Sequence, residues 1–91
     1  MSRRVVLLLP RDVGDDAIDD AARALGLRLA NIVPKAEGMP AQILFGRADG
    51  RATVAIVTDD RLARTYAVLD GELGEALARD LAARVGFERA T

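Results

Sequence analysis

Carboxylates are the only chemically versatile side chains that cluster in this sequence. The stretch "VGDDAIDDAARALG", residues 13–26, sets Asp15, Asp16, Asp19 and Asp20 in two adjacent pairs, with Asp12 just ahead of them. A second pair stands in "TDDR", residues 58–61. Paired carboxylates do acid–base work when burial drives their pKa values apart, and converging ones hold Mg or Ca through oxygen. "DDAIDD" lacks the alternating Asp and the turn glycine of a cation loop, and a rigid helix does not wrap a cation. In a helix beginning near residue 15, Asp15 serves as N-cap and Asp16 lies in the first turn, positions where Asp is favoured without any further role. Asp19 then pairs with Arg23 four residues on, and Asp20 stands four from Asp16 as a like-charge pair. A solvated helix face is the first reading. Docking of a basic partner through Asp12, Asp16, Asp19 and Asp20 is the second. "TDDR" reads as a turn, where Asp is a common residue.

The remaining chemical inventory is short. Cysteine and histidine are both absent, which removes disulfides, thiolate nucleophiles, sulfur ligands and the commonest general base. No Ser-His-Asp or Cys-His arrangement can be assembled within the chain. Activity would rest on Asp, Glu, Arg, Tyr66 or the single lysine, Lys35. The expectation is no catalytic residue, no metal site and no cofactor, with an Asp-dependent hydrolase using Mg as the remaining enzymatic class. The formal net charge is −1, which supplies no drive toward nucleic acid. Every basic residue except Lys35 is Arg, and in a chain rich in Ala, Arg and Asp a bacterial-like coding bias accounts for that. Arg3 and Arg4, Arg47 and Arg51, and Arg61 and Arg64 flank the chain start and the turns, where edge charges discourage aggregation. No aromatic residues interleave with them, so base stacking is unsupported. The apolar run in "SRRVVLLLP" is too short for a signal peptide, and no stretch is long enough for a membrane span. A cytoplasmic protein is expected.

The elements that position these groups follow from periodicity. With 91 residues, half of them hydrophobic, the chain makes one domain, residues 1–91. "RVVLLL", residues 4–9, is a continuous apolar run ended by Pro10, which suits a strand buried on both faces in the middle of a sheet. Ile18, Ala21, Ala22 and Leu25 form the stripe of a helix over about residues 15–25, with Gly26 as its stop. "LRLANIV", residues 27–33, is a strand. "QILFGRADGRATVAIVT" carries Asp49-Gly50 between two strand-like runs, the favoured two-residue hairpin turn. That turn pairs Phe45 with Val54 and Ile43 with Ile56 on a core face. The opposite face then holds Gln42, Leu44, Gly46, Thr53, Ala55 and Val57, a mixed set. "RTYAVL", residues 64–69, fits either a helix or a strand. A strand is preferred, with a loop over 59–63 setting Tyr66 and Val68 beside Ile56 and Val54. Asp70-Gly71 opens a last helix over about residues 72–85, in which Leu73, Leu77, Leu81 and Val85 recur every fourth position. Acids lead and arginines trail, as the helix dipole prefers.

The whole reads as an α+β fold, a small single-layer sheet of about five strands in β-α-β-β-β-β-α order, packed against two amphipathic helices. The early β-α-β-β order alone loosely resembles ferredoxin-like and ACT-type regulatory domains; "PRDVGDD" is a glycine ahead of a helix as in many unrelated loops, and the extra strand at 64–69 departs from their plan. That resemblance implies a small-molecule sensor binding its ligand at a subunit interface. The reading preferred over it is a non-catalytic protein-binding or regulatory module that acts by association. If both helices cover the Phe45 face, the other face is semi-apolar and open, and Leu44, Ala55 and Val57 become candidates for self-association in a homodimer.

Overall fold

The computed structural model describes residues 4–9, 14–59, 61 and 64–89. Its elements run β1 (Val5–Leu8), α1 (Asp15–Ala24), β2 (Leu27–Val33), β3 (Ala41–Arg47), β4 (Thr53–Asp59), β5 (Arg64–Asp70), α2 (Gly74–Val85) and β6 (Glu88–Arg89). This is the expected α+β plan with one strand added at the end. The strands form one antiparallel sheet in the order β2-β3-β4-β5-β1-β6. β2 to β5 are a meander, and β1 lies between β5 and β6. The likeness to ferredoxin-like and ACT-type domains is one of element order, because here three strands separate β1 from β2.

The β3–β4 register is the one the hairpin pattern implies, with Phe45 opposite Val54 and Ile43 opposite Ile56. The turn itself differs. Arg47 N–H donates to the Ala52 carbonyl (3.1 Å) and Gly50 N–H to the Arg47 carbonyl (3.0 Å), so the loop is four residues, 48–51, rather than two. Gly50 at φ 72° supplies the left-handed residue, and the Asp49 carboxylate accepts the Arg51 N–H at 3.1 Å. A four-residue loop built on a tight turn keeps the same register sum as the two-residue one.

Three further expectations are corrected. Tyr66 and Val68 do not sit beside Ile56 and Val54. Asp59 pairs with Arg64, so the β4–β5 connection is residues 60–63, one residue shorter than expected, and Tyr66 and Val68 stand opposite Val57 and Ala55. Strand side chains alternate, so that single step moves Tyr66 and Val68 to the other face and turns Ala67 and Leu69 into the core. β1 is not mid-sheet or buried on both faces. Its burial alternates, with Val5 and Leu7 buried and Val6 and Leu8 half-buried, and among the described residues Glu88 and Arg89 of β6 alone pair outside it. Asp15 is not the N-cap. Gly14, in extended conformation, caps α1 without a side-chain hydrogen bond, and Asp15 is the first helical residue.

Both helices lie on one face of the sheet and touch each other. Ile18, Ala21 and Ala22 of α1 and Leu77, Ala78 and Leu81 of α2 close over Val5, Leu7, Phe45, Val54, Ile56, Ala67 and Leu69. Phe87, buried just after the Gly86 stop, anchors β6 to the same core. A close backbone approach joins the β3–β4 loop to the entry of α2: Leu73 N–H donates to the Arg51 carbonyl at 3.1 Å. Gly71 makes this fit. It holds φ 107°, and a Cβ there would stand 2.6 Å from the Arg51 oxygen. Among the described residues, no helix is long and apolar enough to cross a membrane.

Denaturant melts test this packing. Phe45→Ala is expected to cost roughly 3–5 kcal/mol, the loss of a large core side chain with its cavity. Gly71→Ala is expected to cost at least about 1–3 kcal/mol, the strain of its positive φ, with the clash against the Arg51 carbonyl added to it. A neutral Phe45→Ala would show that the sheet faces are assigned the wrong way round.

Candidate interaction surface

The face turned away from the helices is assembled by register. Leu44, Ala55, Val68 and Val6 form one row across β3, β4, β5 and β1, and Gln42, Val57, Tyr66 and Leu8 form the next. Apart from Gln42 and the Tyr66 hydroxyl, the eight side chains are apolar. Neither helix packs here, since the buried side chains of both belong to the opposite face. Leu44, Ala55, Tyr66, Val68, Val6 and Leu8 are each half-buried, because side chains on a flat pleated face shield one another laterally. Val57 is the exception at 6% exposure, flanked by its cross-strand neighbours Gln42 and Tyr66. It is therefore a recessed part of the surface, while Leu44 and Ala55 stand on it.

The border of this face is polar. Gly46, Thr53, Asp70 and Arg4 close one end, where Arg4 Nε–H donates to Asp70 Oδ1 at 3.3 Å. At the other end Asp59 faces Arg64. Arg64 donates an Nη2–H to the Leu9 carbonyl at 3.4 Å, while its buried Nε has no acceptor among the described residues. An apolar centre ringed by polar and charged groups is the anatomy of a protein interface. Of this set, sequence reasoning named Leu44, Ala55 and Val57 and missed Val6, Leu8, Tyr66 and Val68. The signal for Val6 and Leu8 was available: an unbroken apolar run marks a strand whose two faces both need cover.

The charged residues are dispersed by contrast. Asp16, Asp19 and Asp20 lie on the solvent side of α1, and Asp19 accepts the Arg23 Nε–H at 2.9 Å, as their spacing implied. Asp12 lies outside the described residues, as do Arg3 and Asp60. Asp59 Oδ1 accepts the Arg61 N–H at 2.9 Å, a turn contact. Arg47 binds Asp49 and Arg51 binds Glu72, so the arginines at this turn meet local acids rather than pooling into a patch. Among the described residues no three carboxylates gather as metal ligands would. A hollow of about 340 Å³ between the 35–40 loop and the end of β4 is open to solvent and brings Lys35, Asp59 and Arg61 to its lining. Compared with known protein families, curated proteins and solved structures, the chain matches none.

The Asp49 contacts carry a pH signature. The Arg47 guanidinium first, and then the Arg51 N–H, hold the Asp49 carboxyl below its ordinary value of 3.8, and Glu72 pushes the Arg51 guanidinium up. A lowered carboxyl favours the folded state above the ordinary value, and that contribution is lost as pH falls through the lowered one. In a carboxyl NMR titration Asp49 is expected to have its midpoint below 3.8, and Arg47→Ala is expected to raise it. A midpoint at or above the ordinary value would contradict these contacts.

Proposed function

We propose that the protein is a non-catalytic binding module that acts by association and that its open sheet face docks a second copy of itself. One observation carries this reading: Val6 and Leu8, within the most apolar segment of the sequence, point to a side of the sheet that neither helix covers. Together with Leu44, Ala55, Val57, Tyr66 and Val68 they form a contiguous apolar surface, and such patches on small proteins mark contact sites. Two sheets packing face to face about 10 Å apart interdigitate such rows, and a two-fold pairing satisfies both copies with one surface. The polar border supports the same reading, as Arg4 with Asp70 closes one end of the apolar rows and Asp59 with Arg64 the other. A chain without histidine or cysteine also fits binding better than catalysis. The hetero-partner in this reading is a protein, basic in character, met by the acidic α1. Nucleic acid is not among the expected partners, because the arginines at the turns are matched by acids.

Light scattering at micromolar concentration checks the self-association. The expected mass is twice the chain's 9.7 kDa. Leu44→Lys with Val68→Lys, both half-buried on the open face, is expected to give a folded monomer with unchanged circular dichroism. Val57→Lys is a poor probe, since that residue is recessed and its change also tests folding. A single-chain mass for the unmodified protein would overturn the dimer.

A further inference from the structure

The helical layer is narrower than the sheet it covers. Six strands about 4.8 Å apart make a sheet roughly 24 Å wide, whereas two helices packed about 8–10 Å apart cover less. The uncovered margin falls on β2, the edge strand beside α1. There Leu29 is 52% exposed and Ile32 is 60% exposed, two of the three large apolar side chains left open among the described residues. Both pair with core-side residues of β3, Leu29 with Phe45 and Ile32 with Ile43. With Ile18 they line a depression of about 190 Å³ between α1 and β2. Its rim on the α1 side is acidic, formed by Asp16 and Asp19.

We infer that this depression is a docking groove for an amphipathic basic helix of a partner protein, which lies beside α1 as a third helix and completes the layer. The inference rests on the association reading above but uses the opposite face of the sheet, so both surfaces can be engaged at once. Three observations select this occupant. The apolar floor is continuous with the core through Phe45 and Ile18, so an inserted apolar side chain extends existing packing. Of the two carboxylates in the lining, Asp19 holds the Arg23 guanidinium at 2.9 Å, while Asp16 is exposed, as is Asp20 on the same helix. Lysine or arginine beside the inserted apolar residue is therefore the complementary chemistry. The edge of β2 is also blunted against strand addition. A bulge interrupts its register between Leu29 and Asn31, and the Ile32 N–H already donates to Asn31 Oδ1 at 2.9 Å. Bulges and side-chain caps are how edge strands resist pairing, which leaves side-chain insertion from a helix as the mode of contact.

The test uses the full chain and two synthetic 18-residue helical peptides, one of Leu and Lys and one of Leu and Glu in the same amphipathic pattern. Methyl NMR is expected to show the Lys peptide shifting Leu29, Ile32 and Ile43, with calorimetric affinity at least tenfold above that of the Glu peptide and falling with salt. Asp16→Lys with Asp19→Lys, at an exposed and a partly exposed position outside the core, is expected to reverse the preference. Ile32→Ser, also exposed, is expected to weaken the Lys peptide at least fivefold. The inference is overturned if the groove methyls do not move, or if the shifts fall on Leu44 and Val68 instead. It is equally overturned if the charge reversal leaves the preference unchanged. Protection of β2 amides from exchange would mean strand addition, and groove shifts produced by protein concentration alone would mean a second copy; either result replaces the basic helix. Light scattering on the same samples reports the sheet-face dimer separately, so failure of one association is distinguishable from failure of the other.

Discussion

Everything in this molecule depends on how an apolar sheet is covered. The side packed against the helices is closed by short alanine- and leucine-rich stripes: Ala21, Ala22 and Ala78 let the helices approach closely, while Leu77 and Leu81 reach between Val5, Leu7 and Leu69. Aromatic residues contribute little volume beyond Phe45 and Phe87. The domain therefore gains its burial from many small contacts rather than a few large ones. Two helices of 10 and 12 residues complete one side over most of its width and contribute nothing to the other. The apolar rows on the reverse side and the exposed pair on β2 are what this coverage leaves over.

Much of this arrangement was legible in the sequence, and the misreadings have physical causes. The β3–β4 register was readable because a turn dipeptide sits between two alternating runs, and alternation tolerates only one face assignment. The β5 register was not, because "DDRLA" has no residue that fixes a loop length, and a change of one residue exchanges Tyr66 and Val68 for Ala67 and Leu69. β1 was misplaced because an apolar run reports that both faces want cover, not that both have it. β6 is two residues long, below any periodicity, and only the buried Phe87 beyond the Gly86 stop hinted at a continuation. The N-terminus of α1 was set one residue late because Asp is a stronger cap than glycine by propensity, yet Gly14 holds the extended cap geometry.

The candidate surfaces were partly visible for the same reasons. Leu44, Ala55 and Val57 emerged from the one strand pair whose register could be read. Val68 and Tyr66 became members only when β5 took its place. The acidic residues of α1 were conspicuous from the start, but their relation to Leu29 and Ile32 depends on β2 standing at the sheet edge next to that helix. Strand order is set by long-range pairing, which leaves no trace in local sequence pattern.

The position of β1 bears on how the chain reaches this structure. β2 through β5 pair with their sequence neighbours, so the meander is assembled from local hairpins. β1 instead pairs with β5 and β6, residues from the far end of the chain. Closing so long a segment is entropically slow compared with forming hairpins. Until it happens, β5 presents an unpaired edge, and the core lacks Val5 and Leu7. The most apolar segment of the protein, made before the whole meander, is thus the one that waits longest for its neighbours. Until β5 and β6 are made, a nascent chain of this kind carries an exposed adhesive strand.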